Sequence, residues 1–352
     1  MTDIPRRRTL TLDDYVDGIL NCDIKVLPRA LTLMESSNLQ HQILAEELLT
    51  RILPRTGNAI RVGITGAPGV GKSTFIEALG IHLVNAGRRV AVLAVDPSSD
   101  ISGGSILGDK TRMYRLSAQR NAYIRPSPSA GTLGGVARKT RESMLVCEAA
   151  GFDVVLVETV GVGQSETMVA DMTDCFLALM LPGAGDELQG IKRGLLELVD
   201  VIAVNKADRK TLSAARLAAQ QYRVAMNSLL DNQRDAPRVL TCSALENNGI
   251  DEVWSAIENR YQEMQQNGQL TARHQQQRVR WLWSIMDDRL RTAVRSHPDV
   301  VAIRTELEAG VLTGRIPPEV AARRMLEAFG LSESIRSNTD DGADSGTANE
   351  KT

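Results

Sequence analysis

The sequence predicts an α/β protein: a doubly wound, mostly parallel sheet with a helical extension before it and a helical arm after it. Three observations carry this. Six apolar runs of strand length alternate with helical stretches between residues 58 and 265, and they are near-continuous Val, Ile and Leu, as strands buried on both faces require. The first run, Ile60-Arg61-Val62-Gly63-Ile64-Thr65, leads through a glycine-rich turn into helical apolar spacing over Phe75–Val84. Outside that region, the apolar periodicity over 1–57 and 266–335 is helical only.

Taken in order, residues 1–10 carry no apolar pattern and are expected to be disordered. Leu12, Tyr15, Val16, Ile19 and Leu20 then form one helical stripe, and Leu39, Ile43, Leu44, Leu48, Leu49 and Ile52 a longer one. Pro28 marks a helix start, and Pro54 with Gly57-Asn58 closes the extension. The remaining strands are expected at 89–95, 153–158, 175–181, 200–204 and 238–241. Helices at 74–85, 137–150, 188–198, 210–232 and 249–259 supply the crossovers and the closing helix. In the arm, Val279, Leu282, Trp283, Met286, Leu290 and Val294 make one stripe, widened by Trp281 and Ile285. Two further helices, 298–309 and 317–329, show proline starts and the glycine stops Gly310 and Gly330. An apolar arm of this kind pairs with a second copy or folds back on the core, and pairing is the expectation. The tail 336–352, rich in Asp, Gly, Ser, Thr and Asn, is expected to be disordered.

Composition narrows the function. Hydrophobic residues make up 43% and charged residues 24%, ordinary for a soluble globular chain, and the net charge of −2 offers nothing to nucleic acid or to an acidic membrane surface. No stretch is long and apolar enough to span a bilayer, and Arg6-Arg7-Arg8 is not followed by the apolar core of a secretory signal. Cys22, Cys147, Cys175 and Cys242 are scattered, without CxxC spacing, and read as buried free thiols in a reducing, cytoplasmic setting.

The turn after the first strand, Gly66-Ala67-Pro68-Gly69-Val70-Gly71-Lys72-Ser73 with Thr74 behind it, has the spacing of a phosphate-binding loop. Strand, glycine loop and helix start together turn successive backbone N–H groups and the positive helix end onto phosphates. Lys72 supplies charge to the outer phosphates, and the Ser73 hydroxyl is placed to hold Mg²⁺. After the fifth run stands Asn205-Lys206-Ala207-Asp208, and after the sixth Ser243-Ala244-Leu245. A carboxylate at Asp208 accepts from the N1–H and 2-amino group of guanine together; adenine would leave it unsatisfied. Asn205 braces the neighbouring loops, the Lys206 stem lies along the base, and a backbone N–H of Ser243-Ala244-Leu245 meets the guanine carbonyl oxygen. The expected nucleotide is therefore GTP/GDP rather than ATP.

The third run ends in Glu158-Thr159-Val160-Gly161, where small guanine-nucleotide switches usually carry Asp-x-x-Gly. Glu158 faces the Mg²⁺ shell directly or through water, and the Gly161 N–H can approach the γ-phosphate. Asp96, at the end of the second run, and Asp109, in the next glycine-rich loop, are read as Mg²⁺ or water-positioning groups; Asp100 is read as a surface turn residue. Lys72, Asp96, Asp109 and Glu158 are thus the expected catalytic set.

With these residues in hand, the chain resembles the MeaB/ArgK family of P-loop GTPases, from the N-terminal helices to about Phe329. The resemblance rests on Gly66–Ser73, Asp96–Ser99, Gly108–Met113, Glu158–Glu166, Gly185–Lys192 and Asn205–Asp208; glutamate at 158 is itself a family trait. It implies a homodimer formed through C-terminal helices and slow GTP hydrolysis accelerated by a partner. That partner is adenosylcobalamin-dependent methylmalonyl-CoA mutase, whose cofactor loading the family gates and which it protects from inactivation. It also implies that Gly183–Lys192 is an additional switch reporting nucleotide state. Three rivals are weighed against this. A nickel-insertion GTPase needs Cys or His ligands near the nucleotide, and these motifs have none. A nucleotide-dependent kinase or ATPase linked to basic amino-acid transport needs a phosphoryl acceptor, and none is legible. A non-catalytic GTP-binding scaffold would show no turnover.

Overall fold

The computed structural model describes residues 9–36, 38–95, 112–126, 133–159, 165–183, 193–229 and 236–331. The chain divides into two compact units, 1–281 and 282–352, with the division falling inside one long helix, Gln269–Ser296.

In the first unit, helices α1 (Leu12–Leu20), α2 (Leu27–Glu35) and α3 (Leu39–Ile52) precede the sheet. A reciprocal capping box between Thr11 and Asp14 starts α1, and Pro28 sits in the first turn of α2. These helices belong to the core of the first unit: Ile19, Leu31, Leu48 and Ile52 are fully buried in one layer with the central sheet. Two of the six residues of the longer stripe are left out of the core. Leu39 and Ile43, at the start of α3, remain 69% and 47% exposed.

The sheet has seven parallel strands: β1 (Ile60–Gly66), β2 (Val90–Val95), β3 (Ala122–Arg125), β4 (Val154–Thr159), β5 (Cys175–Met180), β6 (Val201–Val204) and β7 (Arg238–Thr241). Their order is β3-β2-β4-β1-β5-β6-β7. The six expected runs are all strands; β3 is an addition. It is short, sits at the edge, and mixes Arg125 and Tyr123 with a single well-buried Ile124, so it lacks the continuous apolar signature of its neighbours. Arg125 forms an ion pair with Glu35 of α2, so the extension and the edge strand hold each other.

Along each central strand successive residues enter opposite layers. Val155 and Val157 face the N-terminal helices and α6 (Leu133–Ala149); Val154 and Leu156 face α4 (Lys72–Asn85) and α10 (Ile250–Gln266). Gly63 sits in mid-strand because a Cβ there would come within 2.6 Å of the Phe176 ring and 2.8 Å of Val169, on helix α7 (Ser165–Ala170). Short α5 (Tyr114–Ser117), α8 (Arg193–Leu196) and α9 (Leu212–Leu229) complete the unit together with the first half of α11 (Gln269–Ser296). The thiols of Cys147, Cys175 and Cys242 are buried, and burial pushes each pKa up, to about 12 for Cys242; Cys22 is only half-buried.

The second unit holds the rest of α11, then α12 (Pro298–Leu312) and α13 (Pro318–Ala328). Gly310 does not end its helix as expected. The helix runs on to Leu312, and Gly310 is buried inside it because a Cβ there would lie 2.4 Å from Ile316. The left-handed stop is Gly314, with φ +71°. Of the expected disordered ends, 1–10 and 336–352, residues 1–8 and the whole tail lie outside the described residues; Leu10 is a correction, since its side chain packs against the core layer that holds the N-terminal helices.

Candidate functional site

Strand order changes direction around β1, which has β4 on one side and β5 on the other. Ligands of open α/β sheets bind beyond the carboxyl ends at such a point. Here β1 ends in Gly66, whose φ of +152° and close approach to the Leu179 carbonyl (2.5 Å from a built Cβ) exclude any side chain. Gly69 and Gly71 also hold left-handed backbone, φ +79° and +93°, so three glycines bend the loop back to the start of α4. The first intrahelical bond runs from Phe75 N–H to the Gly71 carbonyl at 2.9 Å. The N–H groups of Lys72, Ser73 and Thr74 therefore have no carbonyl of their own helix to meet, which is the arrangement that binds phosphate. Ala67 is half-buried, Pro68 and Thr74 are exposed, and Val70 is buried beneath the loop.

Lys72 Nζ donates to the Gly66 carbonyl at 2.7 Å and to that of Ala67 at 3.4 Å, which fixes it across the loop. Burial lowers its pKa below the ordinary lysine value, while the charges of Glu158 and Glu166 act to keep it protonated. The Ser73 hydroxyl lies 3.2 Å from Glu158 Oε1, and Glu158 is 4% exposed at the carboxyl end of β4. The loop, the first helical turn and the third-run carboxylate thus meet at one point. Behind them runs a buried polar chain. Thr159 donates to Thr65 at 3.1 Å, and Thr65 to Glu166 at 3.3 Å. Glu166 was not among the expected site residues; the only sequence signal was its place at the end of the Glu158–Glu166 stretch.

The second centre is Asn205. It is buried, and its amide nitrogen donates to the Val70 carbonyl at 2.9 Å while its oxygen accepts from the Ala244 N–H at 3.1 Å. One side chain therefore joins the phosphate loop, the end of β6 and the loop after β7. Its nitrogen would lie 3.0 Å from any Cβ at Gly71, a second reason for glycine there. Lys206 is exposed and adopts left-handed backbone, φ +59°, with its carbonyl accepting from the Thr211 hydroxyl. That reversal lets Ala207 N–H reach the Cys242 carbonyl at 2.9 Å and sets Asp208 beside Ser243, whose hydroxyl donates to its carboxylate. Ser243 also accepts from Glu246 N–H at 3.0 Å, and Leu245 stands 80% exposed on the loop between.

Of the expected residues, the structure gathers Gly66–Ser73 with Glu158 and, through Asn205, with Asp208 and Ser243–Leu245. Asp96, Asp109, Gly161 and residues 184–192 of the expected switch lie outside the described residues. Among the described residues no group of three or more His, Cys, Asp or Glu side chains is poised for a metal, and no helix is long and apolar enough to cross a membrane.

Comparison with known proteins agrees with this geometry. A protein of Caulobacter vibrioides that bears the name of a GTPase is 55% identical over 92% of this chain and 99% of its own. The GTPase ArgK of Escherichia coli is 45% identical over 90% of this chain and 96% of its own; the mouse methylmalonic aciduria type A homolog, mitochondrial, is 42% identical over 90% and 79%. A crystal structure described as an LAO/AO transport system kinase superposes with a TM-score of 0.71 at 38% identity, covering 92% of this chain and all of that one. Residues 27–299 match the family model described as methylmalonyl Co-A mutase-associated GTPase MeaB, and the chain belongs to that family of GTPases.

Proposed function

We propose that this protein is a GTP-hydrolysing chaperone of adenosylcobalamin-dependent methylmalonyl-CoA mutase, gating its cofactor loading and protecting it from inactivation. The observation that carries the reading is the match of residues 27–299 to a family whose description names that mutase. In the reaction, water attacks the γ-phosphorus of GTP and the bond to the β-phosphate oxygen breaks, giving GDP and inorganic phosphate. Lys72 places its charge against the phosphate oxygens from across the loop. The Ser73 hydroxyl and Glu158 carboxylate, 3.2 Å apart beside the helix start, are hard oxygen ligands that suit Mg²⁺ together with phosphate oxygens and water; Asp96 and Asp109 are proposed to complete or orient that shell. When bound, the ion neutralises charge on the phosphate oxygens. Asp208 accepts from the guanine edge, held in orientation by Ser243.

The test is hydrolysis with and without the mutase, together with co-purification under GDP and a non-hydrolysable GTP analogue. Slow single turnover alone, faster turnover with mutase and nucleotide-dependent association are expected. Fast turnover in the isolated chain, or no association under either nucleotide, would refute the reading. The same assay with labelled γ-phosphate addresses the kinase named by the solved relative: label on protein rather than free phosphate would favour it.

Asp208→Asn replaces a double acceptor by an amide that also donates. The expected result is GTP affinity at least tenfold weaker and a gain for xanthosine triphosphate, read by competition binding. Unchanged GTP affinity would remove Asp208 from the base site.

The second unit is proposed to form a homodimer. Leu282, Trp283, Met286 and Leu290 lie along one face of α11 and are 63%, 57%, 43% and 47% exposed, an apolar stripe of the kind a paired helix covers. Sedimentation is expected to give a dimer for the full chain and a monomer for Leu282→Asp combined with Met286→Asp; a monomeric unmodified chain would overturn this.

A further inference from the structure

At the other end of the sheet, where the strands begin, the first unit contains a cavity of about 250 Å³. It lies about 17 Å from the phosphate loop, the length of β1 from Arg61 to Gly66 at 3.3 Å per residue. Its apolar wall is Met144 and Leu145 of α6, Met172 before β5, and Trp281 of α11. Its basic side chains are Arg61, Arg141, His274 and Arg278.

The charges around this cavity are unevenly matched. Arg61, also in the wall, is paired with the buried Glu148, and His274 with the buried Asp174 at 2.6 Å. Arg141 has no such partner. It donates to two main-chain carbonyls, Asp171 at 2.9 Å and Gln277 at 3.1 Å, and forms no ion pair among the described residues. The carboxylate whose charge acts on it, Asp171, is paired with Arg280 at 2.6 Å. Two of the five guanidinium N–H groups are thereby used, which leaves three to donate. Its guanidinium carbon also lies over the Trp281 ring, 5.9 Å from the centroid, within cation–π range. Burial lowers the Arg141 pKa to about 10, so it remains charged at neutral pH while only partly solvated.

A held, under-neutralised guanidinium beside an apolar cavity is a site for an anion with an apolar body. A cavity of about 150 Å³ takes benzene, so this volume suits an aromatic or short acyl group with one acidic head. We propose that the cavity is a second ligand site, for a small organic monoanion whose carboxylate sits on Arg141 and whose body lies against Met144, Leu145 and Met172. The proposal is independent of the nucleotide reading, since none of these residues touches the phosphate or base loops. The walls come from separate pieces of chain, so a bound ligand would join α6, the turn before β5 and α11.

The test is calorimetric titration of the full chain, with excess GDP present, using phenylacetate, its neutral isostere phenylacetamide, and inorganic phosphate. Phenylacetate is expected to bind saturably and at least tenfold more tightly than either of the others. Arg141→Gln should weaken it tenfold or more, and Leu145→Trp, which fills the cavity and leaves the cation in place, should abolish it. Equal binding of acid and amide, phosphate binding as tightly as phenylacetate, no saturable heat at millimolar phenylacetate, or full binding by Leu145→Trp would each overturn the proposal. If Arg141→Gln fails to fold, the acid-to-amide comparison and Leu145→Trp still decide it.

Discussion

Replacing Lys72 by alanine is expected to slow GTP hydrolysis by about 10³-fold, equivalent to about 4 kcal/mol of transition-state stabilisation. The size follows from where the charge sits. Nζ is fixed between the Gly66 and Ala67 carbonyls, in a half-buried position where the field is less screened than in water. Burial makes the ammonium less stable than on a free lysine, and the charges of Glu158 and Glu166 compensate in part. In the proposed reaction that charge would meet negative charge developing on the phosphate oxygens. Lys72→Arg should not restore the rate, because a planar fork cannot occupy the point between two loop carbonyls that an ammonium fills. Single-turnover phosphate release at saturating GTP measures the effect, with GDP affinity as the companion readout. A fall of less than tenfold would place the main phosphate charge elsewhere.

Removing Arg61 is expected to destabilise the fold by about 3 kcal/mol or more, the usual result of stranding a buried charge. Glu148 has a side chain only 1% exposed, and it receives both the Arg61 guanidinium and the Gly57 N–H, the latter at 2.6 Å. Burial alone would lower the Arg61 pKa; the hydrogen bond and charge of Glu148 outweigh it, and the net shift is upward. Arg61→Ala therefore leaves an anion with one main-chain donor in a low-dielectric layer. For a unit of this size the loss corresponds to a fall in melting temperature of about 5 °C. The double variant Arg61→Met, Glu148→Met should recover most of it, because it leaves no orphan charge. Equal destabilisation in the single and double variants would mean that packing of the arginine stem, rather than its charge, is what the site needs.

The parts of this protein that were legible in its sequence are those where a local rule is also the global one. A strand buried on both faces must be continuously apolar, so Val154–Thr159 and Val201–Val204 announce themselves. A phosphate loop needs glycine at left-handed positions, so Gly69 and Gly71 do too. Features that depend on a distant partner were hidden. Edge strand β3 has one open side and an arginine committed to α2, so its pattern carries no strand signal. Gly310 looks like a helix stop but is a contact for Ile316, a residue beyond its own helix. Glu166 is an ordinary acidic residue in sequence, buried only because Thr65 and Lys72 come to it from β1 and α4. The cavity around Arg141 is assembled from four segments, 53–61, 141–145, Met172 and 274–281, none of which has a motif.

The Asn205 amide has a consequence for how the ligand is felt as a whole. Because its nitrogen holds the Val70 carbonyl and its oxygen holds the Ala244 N–H, the glycine loop Gly66–Ser73 and the loop Ser243–Leu245, proposed to meet phosphate and base, share one bracket. Organising one half pre-organises the other, so the intact nucleotide should bind more tightly than its pieces in combination. Guanosine and pyrophosphate, offered separately, should each raise the other's affinity. In Asn205→Ala that mutual assistance should vanish even where each fragment still binds.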